Sequence, residues 1–168
     1  AVAGTLEPGN RPFAGFTTTN AVGGKLDYYL QRSMTYQRTG CGDTSTTTST
    51  FTLVNAVPAG TLPAYVTLRV DDPRYLTKPG DNRLLISYYT TPGSHIDSVT
   101  VDGVRTIVAP GTEKGLTVFT LPLELPRGST HNVVVTSHEP RRTGSVQIFT
   151  QPSVKPMKLR ISTPSCGG

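Results

Sequence analysis

The chain has 168 residues, a formal charge of +5, 17 Gly, 14 Pro and no Trp, with 7% aromatic and 16% charged side chains. That length holds one globular core. No apolar run reaches the roughly 18 residues of a membrane helix, and the scarcity of Leu, Ala, Glu and Lys excludes a helical bundle or coiled coil. Counts of 27 Thr and 16 Val against 4 Glu favour an all-β domain, because β-branched side chains fit a pleated, half-buried surface. The 16 cations are spread among 11 acids with no block of like charge and no interleaved aromatics, so nucleic acid is not the expected partner. A basic surface facing anionic envelope material is the milder reading. The opening AVAGTLEPGNRPF lacks the basic start and long apolar stretch of a signal peptide.

Residues 1–24 are rich in Gly and Pro and read as an extended lead-in from a preceding domain, with one short strand at 16–19. The β domain is expected over 25–168. Leu26, Tyr28, Leu30, Met34 and Tyr36 share one parity, which predicts a long strand with one wet face. A Ser/Thr tract over 44–57 turns apolar at Phe51, Leu53 and Val57 and is expected to pair with that strand across Thr39-Gly40-Cys41-Gly42. The tract could also carry O-linked sugar, although a polar strand face is the simpler reading. Residues 58–82 form a long loop that is functional or contains a short helix. Strands are expected at 83–90, 95–101, 104–108, 116–124, 130–138, 145–150 and 155–162, with Asp102-Gly103 as a tight hairpin turn. This punctuation predicts a two-sheet antiparallel β-sandwich, immunoglobulin-like or related, with a barrel as the alternative.

Cys41 and Cys166 suit neither a redox CxxC site nor a zinc ligand set, and no metal or cofactor is expected. A disulfide is the favoured reading, which implies an oxidising compartment outside the cytoplasm. Two unrelated buried thiols are the alternative.

The run Asn20-Ala-Val-Gly-Gly-Lys-Leu-Asp-Tyr-Tyr-Leu30 resembles the opening of the last module of the actinobacterial domain of unknown function 4012 family. Further similar runs follow in order: Leu62-Pro63-Ala64-Tyr65-Val66-Thr67, Pro79-Gly80-Asp81-Asn82-Arg83, Val99-Thr100-Val101-Asp102-Gly103, Val118-Phe119 and Glu124 to Thr130. The series closes on Gln151-Pro152 to Pro156 and the terminal Cys166. The resemblance implies the C-terminal module of a large envelope protein with an N-terminal membrane anchor, secreted or held in the cell envelope and associated with surface polysaccharide. Membrane contact would then come only through an anchor that this chain lacks, and its partners would include the other domains of its parent.

Ser94-His95-Ile96-Asp97 contains the letters of a catalytic triad, but neighbours in an extended chain point to opposite faces, so no triad is expected there. Asp97 and Glu124 are the remaining acid pair that could serve a hydrolase, ranked third among the functions. A noncatalytic structural or interaction role comes first, and binding of an envelope polysaccharide second. For the second, Tyr29 and Tyr89 are expected to face outward, Tyr65 and Tyr75 to sit on the long loop, and Arg69, Arg74 or Arg83 to pair with an acidic glycan. Edge strands could also join copies into a homo-oligomer, with the lead-in as donor strand. Pro122, Pro152 and Pro156 would protect edges against this.

Overall fold

A computed structural model describes residues 6, 7, 9–71 and 76–164. In chain order the elements are β1 (Phe13–Asn20), a 3-10 turn (Leu26–Tyr29), β2 (Leu30–Thr39), β3 (Thr44–Asn55), α1 (Ala64–Thr67), β4 (Asn82–Thr90), β5 (His95–Val101), β6 (Val104–Arg105), β7 (Gly111–Glu113), β8 (Leu116–Leu125), β9 (Thr130–Pro140), β10 (Gln147–Thr150) and β11 (Lys158–Ser162). They form a five-stranded sheet, β10-β1-β4-β8-β7, packed on a six-stranded sheet, β11-β2-β3-β9-β5-β6. The expected two-sheet sandwich is present, and the short helix of the long loop is α1.

The sheets are mixed rather than purely antiparallel. β10 runs parallel to β1, and β11 parallel to β2. Hairpin logic dictates direction only between strands that are close in sequence. β10 and β11 meet partners more than a hundred residues upstream, so no tight turn constrains them, and each adds to one edge of its sheet. The connection at 151–157 passes from one sheet to the other along that side of the sandwich.

β1 is the larger departure. Expected as a short strand in a lead-in outside the sandwich, it lies between β10 and β4, with Phe13, Ala14 and Phe16 fully buried or nearly so. A strand already paired on both edges cannot be donated to another copy. The second departure follows Gly23-Gly24. Residues 26–29 turn as a 3-10 helix, so the strand parity expected from Leu26 begins only at Leu30. Those glycines are where the long loop docks. A Cβ on Gly24 would stand 2.9 Å from the Leu68 carbonyl oxygen, and Gly23 holds φ +77° against the Val70 side chain. Lys25 N–H donates to the Val66 carbonyl at 2.9 Å and Val70 N–H to the Val22 carbonyl at 2.8 Å, which ties loop to turn through backbone.

The interior is built by alternation. Phe16 and Phe51 stack across the sheets with ring centroids 4.2 Å apart, and Tyr88 meets Phe51 at 5.1 Å. Leu30, Met34, Leu53, Ile86, Leu121 and Val135 close around them. Asp102-Gly103 makes the expected tight turn, with φ of 51° and 80°. Lys114-Gly115 makes a second such turn, φ 49° and 80°, joining β7 to β8. Pro122 lies where β8 extends beyond the pairing of β7, so its missing N–H faces an open edge. No helix among the described residues is long and apolar enough to cross a membrane.

Candidate functional site

Polar residues of the runs 20–30, 79–83 and 124–130 are held as structural ties. The Asn20 side-chain oxygen accepts from the N–H groups of Val22 and Gly23 at 2.9 and 2.8 Å, while its amide donates to Asp27 at 2.9 Å. Asn82 donates to the same Asp27 oxygen at 2.9 Å. Asp81 accepts from the N–H of Lys78 at 2.8 Å and of Arg127 at 2.9 Å, pinning the Pro79-Gly80 turn to the start of the β8–β9 connection. Buried Asn55 donates to the carbonyls of Gly80 and Leu125, each at 2.8 Å. The Arg127 guanidinium closes the set on the carbonyls of Pro58 and Gly60.

The arginines expected to receive an acidic ligand are similarly engaged. Arg69 forms a two-pronged pair with Asp71 at 2.9 and 2.5 Å and reaches Glu124 at 3.2 Å. Arg83 meets Glu124 at 3.3 Å and Asp71 at 3.9 Å. The hydrogen bonds from Arg69 hold the Asp71 carboxyl below its ordinary range, against the opposing effect of burial. The cluster fastens the long loop to β4 and β8. Arg74 and Tyr75 lie outside the described residues, as does Cys166.

The tyrosines divide differently from expectation. Tyr65 is exposed on α1. Tyr29 is half-buried and Tyr28 is the exposed ring of the pair, because the 3-10 turn replaces strand alternation there. Tyr89 does occupy the outer face of its sheet, but a second cluster of Phe13 and Leu116, with Val118 and Phe149, covers it. Its hydroxyl donates to Glu113 at 2.9 Å, and burial first, then Glu113, raises its pKa. It is unavailable as a stacking platform.

Ser94 is buried and donates to the Thr91 carbonyl at 2.6 Å, whereas the His95 ring is exposed and 3.7 Å from Asp97. His138 contacts Asp97 at 3.1 Å, and His131 contacts Asp102 at 2.6 Å. The Thr46 hydroxyl, on the outer row of β3, lies 3.3 Å from His138 Nδ1, and among the described residues no hydroxyl or thiol is hydrogen-bonded to the rings of His95 and His131. Among the described residues no group of three or more His, Cys, Asp or Glu is placed to hold a metal ion. The Ser/Thr tract lies in β3, an inner strand, with Ser45, Thr47 and Ser49 buried and Thr46, Thr48 and Thr50 half-buried on the outer face.

Sequence reasoning passed over Arg32. It shares the inward parity of Leu30 and Met34, is 6% exposed, and crosses the open side of the sandwich to Thr18 of β1 at 3.2 Å. The same guanidinium bonds the Gln151 carbonyl at 3.4 Å and the Ser153 hydroxyl. Its partners are neutral, and no carboxylate lies within ion-pair distance among the described residues. Burial lowers its pKa, opposed by the charge of Asp27. The signal was present as one cation at a core position in an alternating strand. Arg32 fixes the 151–155 segment against the sandwich, and that segment leads into one wall of a groove of about 490 Å³ on the outer face of β2 and β3. A second groove, about 690 Å³, lies under the long loop beside Leu62, Leu76, Lys78 and Arg127.

Fold and site together define a two-sheet β-sandwich in which Arg69 and Arg83 are paired with Asp71 and Glu124. No family model matches the chain, and no curated protein matches it. Among solved structures it is similar to a Legionella pneumophila protein described as a candidate nutrient binding protein (lpg2210), with a TM-score of 0.51 and 9% identity over 89% of this chain. At that identity the likeness shows a shared fold. The chain spans 54% of the length of that structure.

Proposed function

We propose that this chain is a noncatalytic, extracytoplasmic module of a larger cell-envelope protein, the C-terminal one in the 4012 family it resembles, working through structure and interaction. The observation that carries this reading is the fate of the motif residues. Asn20, Asp27, Asp81, Asn82, Glu124 and Arg127 each hold one segment of backbone or one loop against another. Residues engaged in such ties specify a shape. Catalytic side chains would instead converge on a cleft around a reacting atom. The test is hydrolysis of envelope glycans by the purified chain. No turnover is expected, and turnover abolished by Asp97→Asn or Glu124→Gln would overturn the reading.

Export is supported by the register of the parallel pair. Ser162 of β11 aligns with Gln37 of β2, and Cys166 follows Ser162 by four residues as Cys41 follows Gln37 by four. A Cys41–Cys166 bridge would clasp edge strand β11 to the first hairpin. Closing a loop of this length stabilises a fold by about 2–5 kcal/mol. Thiol titration of the denatured, unreduced chain should find no reactive thiol; two would remove both the clasp and the compartment argument.

Binding of an envelope polysaccharide is the second reading. The groove on the outer face of β2 and β3 favours it, because among the described residues the side chains of Gln31, Ser33, Lys155 and Lys158 make no internal hydrogen bond or ion pair, and on the floor only the Thr52 hydroxyl is tied, to Asn132 at 2.8 Å. Retention of the chain on its own envelope polysaccharide would support it.

A further inference from the structure

The groove on the six-stranded sheet has an unusual charge balance. Its floor is the outward face of Gln31 and Ser33 on β2 and of Thr52 and Val54 on β3, and its wall includes Lys155 and Lys158. No Asp or Glu lines it. Arg160, two residues beyond Lys158 on β11, aligns with Thr35 and carries the basic edge further along the same face. None of these three cations forms an ion pair among the described residues, whereas Arg69 and Arg83 do. The wall is anchored as well: Arg32 binds the Ser153 hydroxyl, which donates to the Lys155 carbonyl at 2.6 Å.

We infer that this groove is a binding site for an anionic, carboxylate-bearing polysaccharide, with Lys155, Lys158 and Arg160 meeting the carboxylates and the hydroxyl and amide floor meeting the sugar hydroxyls. The inference rests on the polysaccharide reading above and gives it a ligand class and an address. The floor continues as Thr35 and Thr50, which pair across β2 and β3, so a linear chain finds a row of hydrogen-bonding groups rather than one pocket. The groove lining contains no aromatic ring on which a nucleobase could stack. Lysines act as point charges on flexible stems, which suits carboxylates spaced along a polymer better than one planar anion held in a fork. Arg32, 94% buried in its own ties, is a positioning residue for the wall (6% exposed).

The test is retention of the whole chain on polygalacturonate, on uncharged dextran and on single-stranded DNA, at low and high salt. Lys155→Gln with Lys158→Gln is compared with Lys25→Gln plus Lys114→Gln, which removes the same charge elsewhere, and unfolding curves confirm that both variants fold. The expected result is salt-sensitive binding to polygalacturonate alone, weakened about tenfold by the groove pair and unchanged by the control pair. Dextran binding that ignores the groove pair would overturn this site while leaving the polysaccharide reading standing. Polygalacturonate binding unaffected by the groove pair, or equally weakened by the control pair, would overturn the address. Equal retention on DNA would reduce the groove to general charge and overturn the ligand class. Retention on neither polysaccharide would overturn both readings.

Discussion

Strand β3 passes through two kinds of interior. Toward its C-terminal end, Phe51 and Leu53 enter an apolar region where Phe16, Tyr88 and Phe119 meet ring against ring. Toward its N-terminal end the same inward parity carries Ser45, Thr47 and Ser49, and the facing residues are hydroxyls and one acid. Glu139 is 1% exposed there, with Thr47 and Thr90 donating to one carboxyl oxygen at 3.0 and 2.8 Å and Thr91 and Tyr36 to the other at 2.7 and 3.4 Å. No cation lies within ion-pair distance of it among the described residues. Ser49 meets the Tyr88 hydroxyl at 2.8 Å, so Tyr88 belongs to both regions. The apolar region is held by shape and area, which neighbours can partly restore after a change. The polar region is held by donors and acceptors, each of which must be matched or left unpaired in low dielectric.

The largest expected effect is in the apolar region. Phe51→Ala should destabilise by about 3–5 kcal/mol, measured by denaturant unfolding, because it leaves a cavity between two aromatic neighbours. Next comes Thr91→Val, which conserves shape and removes the hydroxyl that serves both Glu139 and the buried N–H of Phe13 at 2.9 Å. Each polar group left unpaired should cost about 1–3 kcal/mol. A loss equal to that of a surface Thr→Val change would show that the polar region contributes no such constraint.

Alkaline pH probes the region without mutation. Burial first, and then the charge of Glu139, raises the pKa of Tyr36 and Tyr88 above the ordinary 10.0. The neutral phenols are therefore favoured by the fold. Their contribution is complete below about pH 10 and is lost as pH rises toward the folded values. Phenolate absorbance should show both rings ionising last, together with loss of native circular dichroism; ionisation of all tyrosines in a folded chain would break the picture.

The smallest effect belongs to the partly solvated loop cluster. The Asp71 pKa is lowered from 3.8, so its contribution is present above that value and disappears as pH falls through the lower folded one. Asp71→Asn should therefore lower the melting temperature at neutral pH, and the two unfolding curves should converge in acid. A constant gap between them would remove Asp71 from the acid response.

Much of the strand pattern was legible because hydrophobic and polar residues alternate in it. His95–Val101 and the Asp102-Gly103 turn were read at their observed positions. Contrast fails where both faces carry similar residues. Ser and Thr satisfy either side of a sheet, so the polar interior of Ser45, Thr47 and Ser49 looked the same as the outer row of Thr46, Thr48 and Thr50. β1 was underestimated because Gly15 and the surrounding Pro and Gly suggested a loop; in the fold, Gly15 leaves room for the Phe13 ring, which a Cβ would approach to 3.0 Å. The groove was not legible at all, since it joins residues 31–54 to 155–158.

By itself the sequence determined an all-β chain, most of its strands and two of its tight turns' locations only in part: Asp102-Gly103 was evident, Lys114-Gly115 was not. Those are local matters, decided by side-chain branching, alternation and the left-handed backbone that a Gly-containing turn requires. Tertiary structure decided the parallel edges, the inner place of β1, the engagement of Arg69 and Arg83, and the basic groove. These depend on which distant segments meet, where burial makes an unpaired polar group costly and so dictates which charges bind one another and which stay open to solvent.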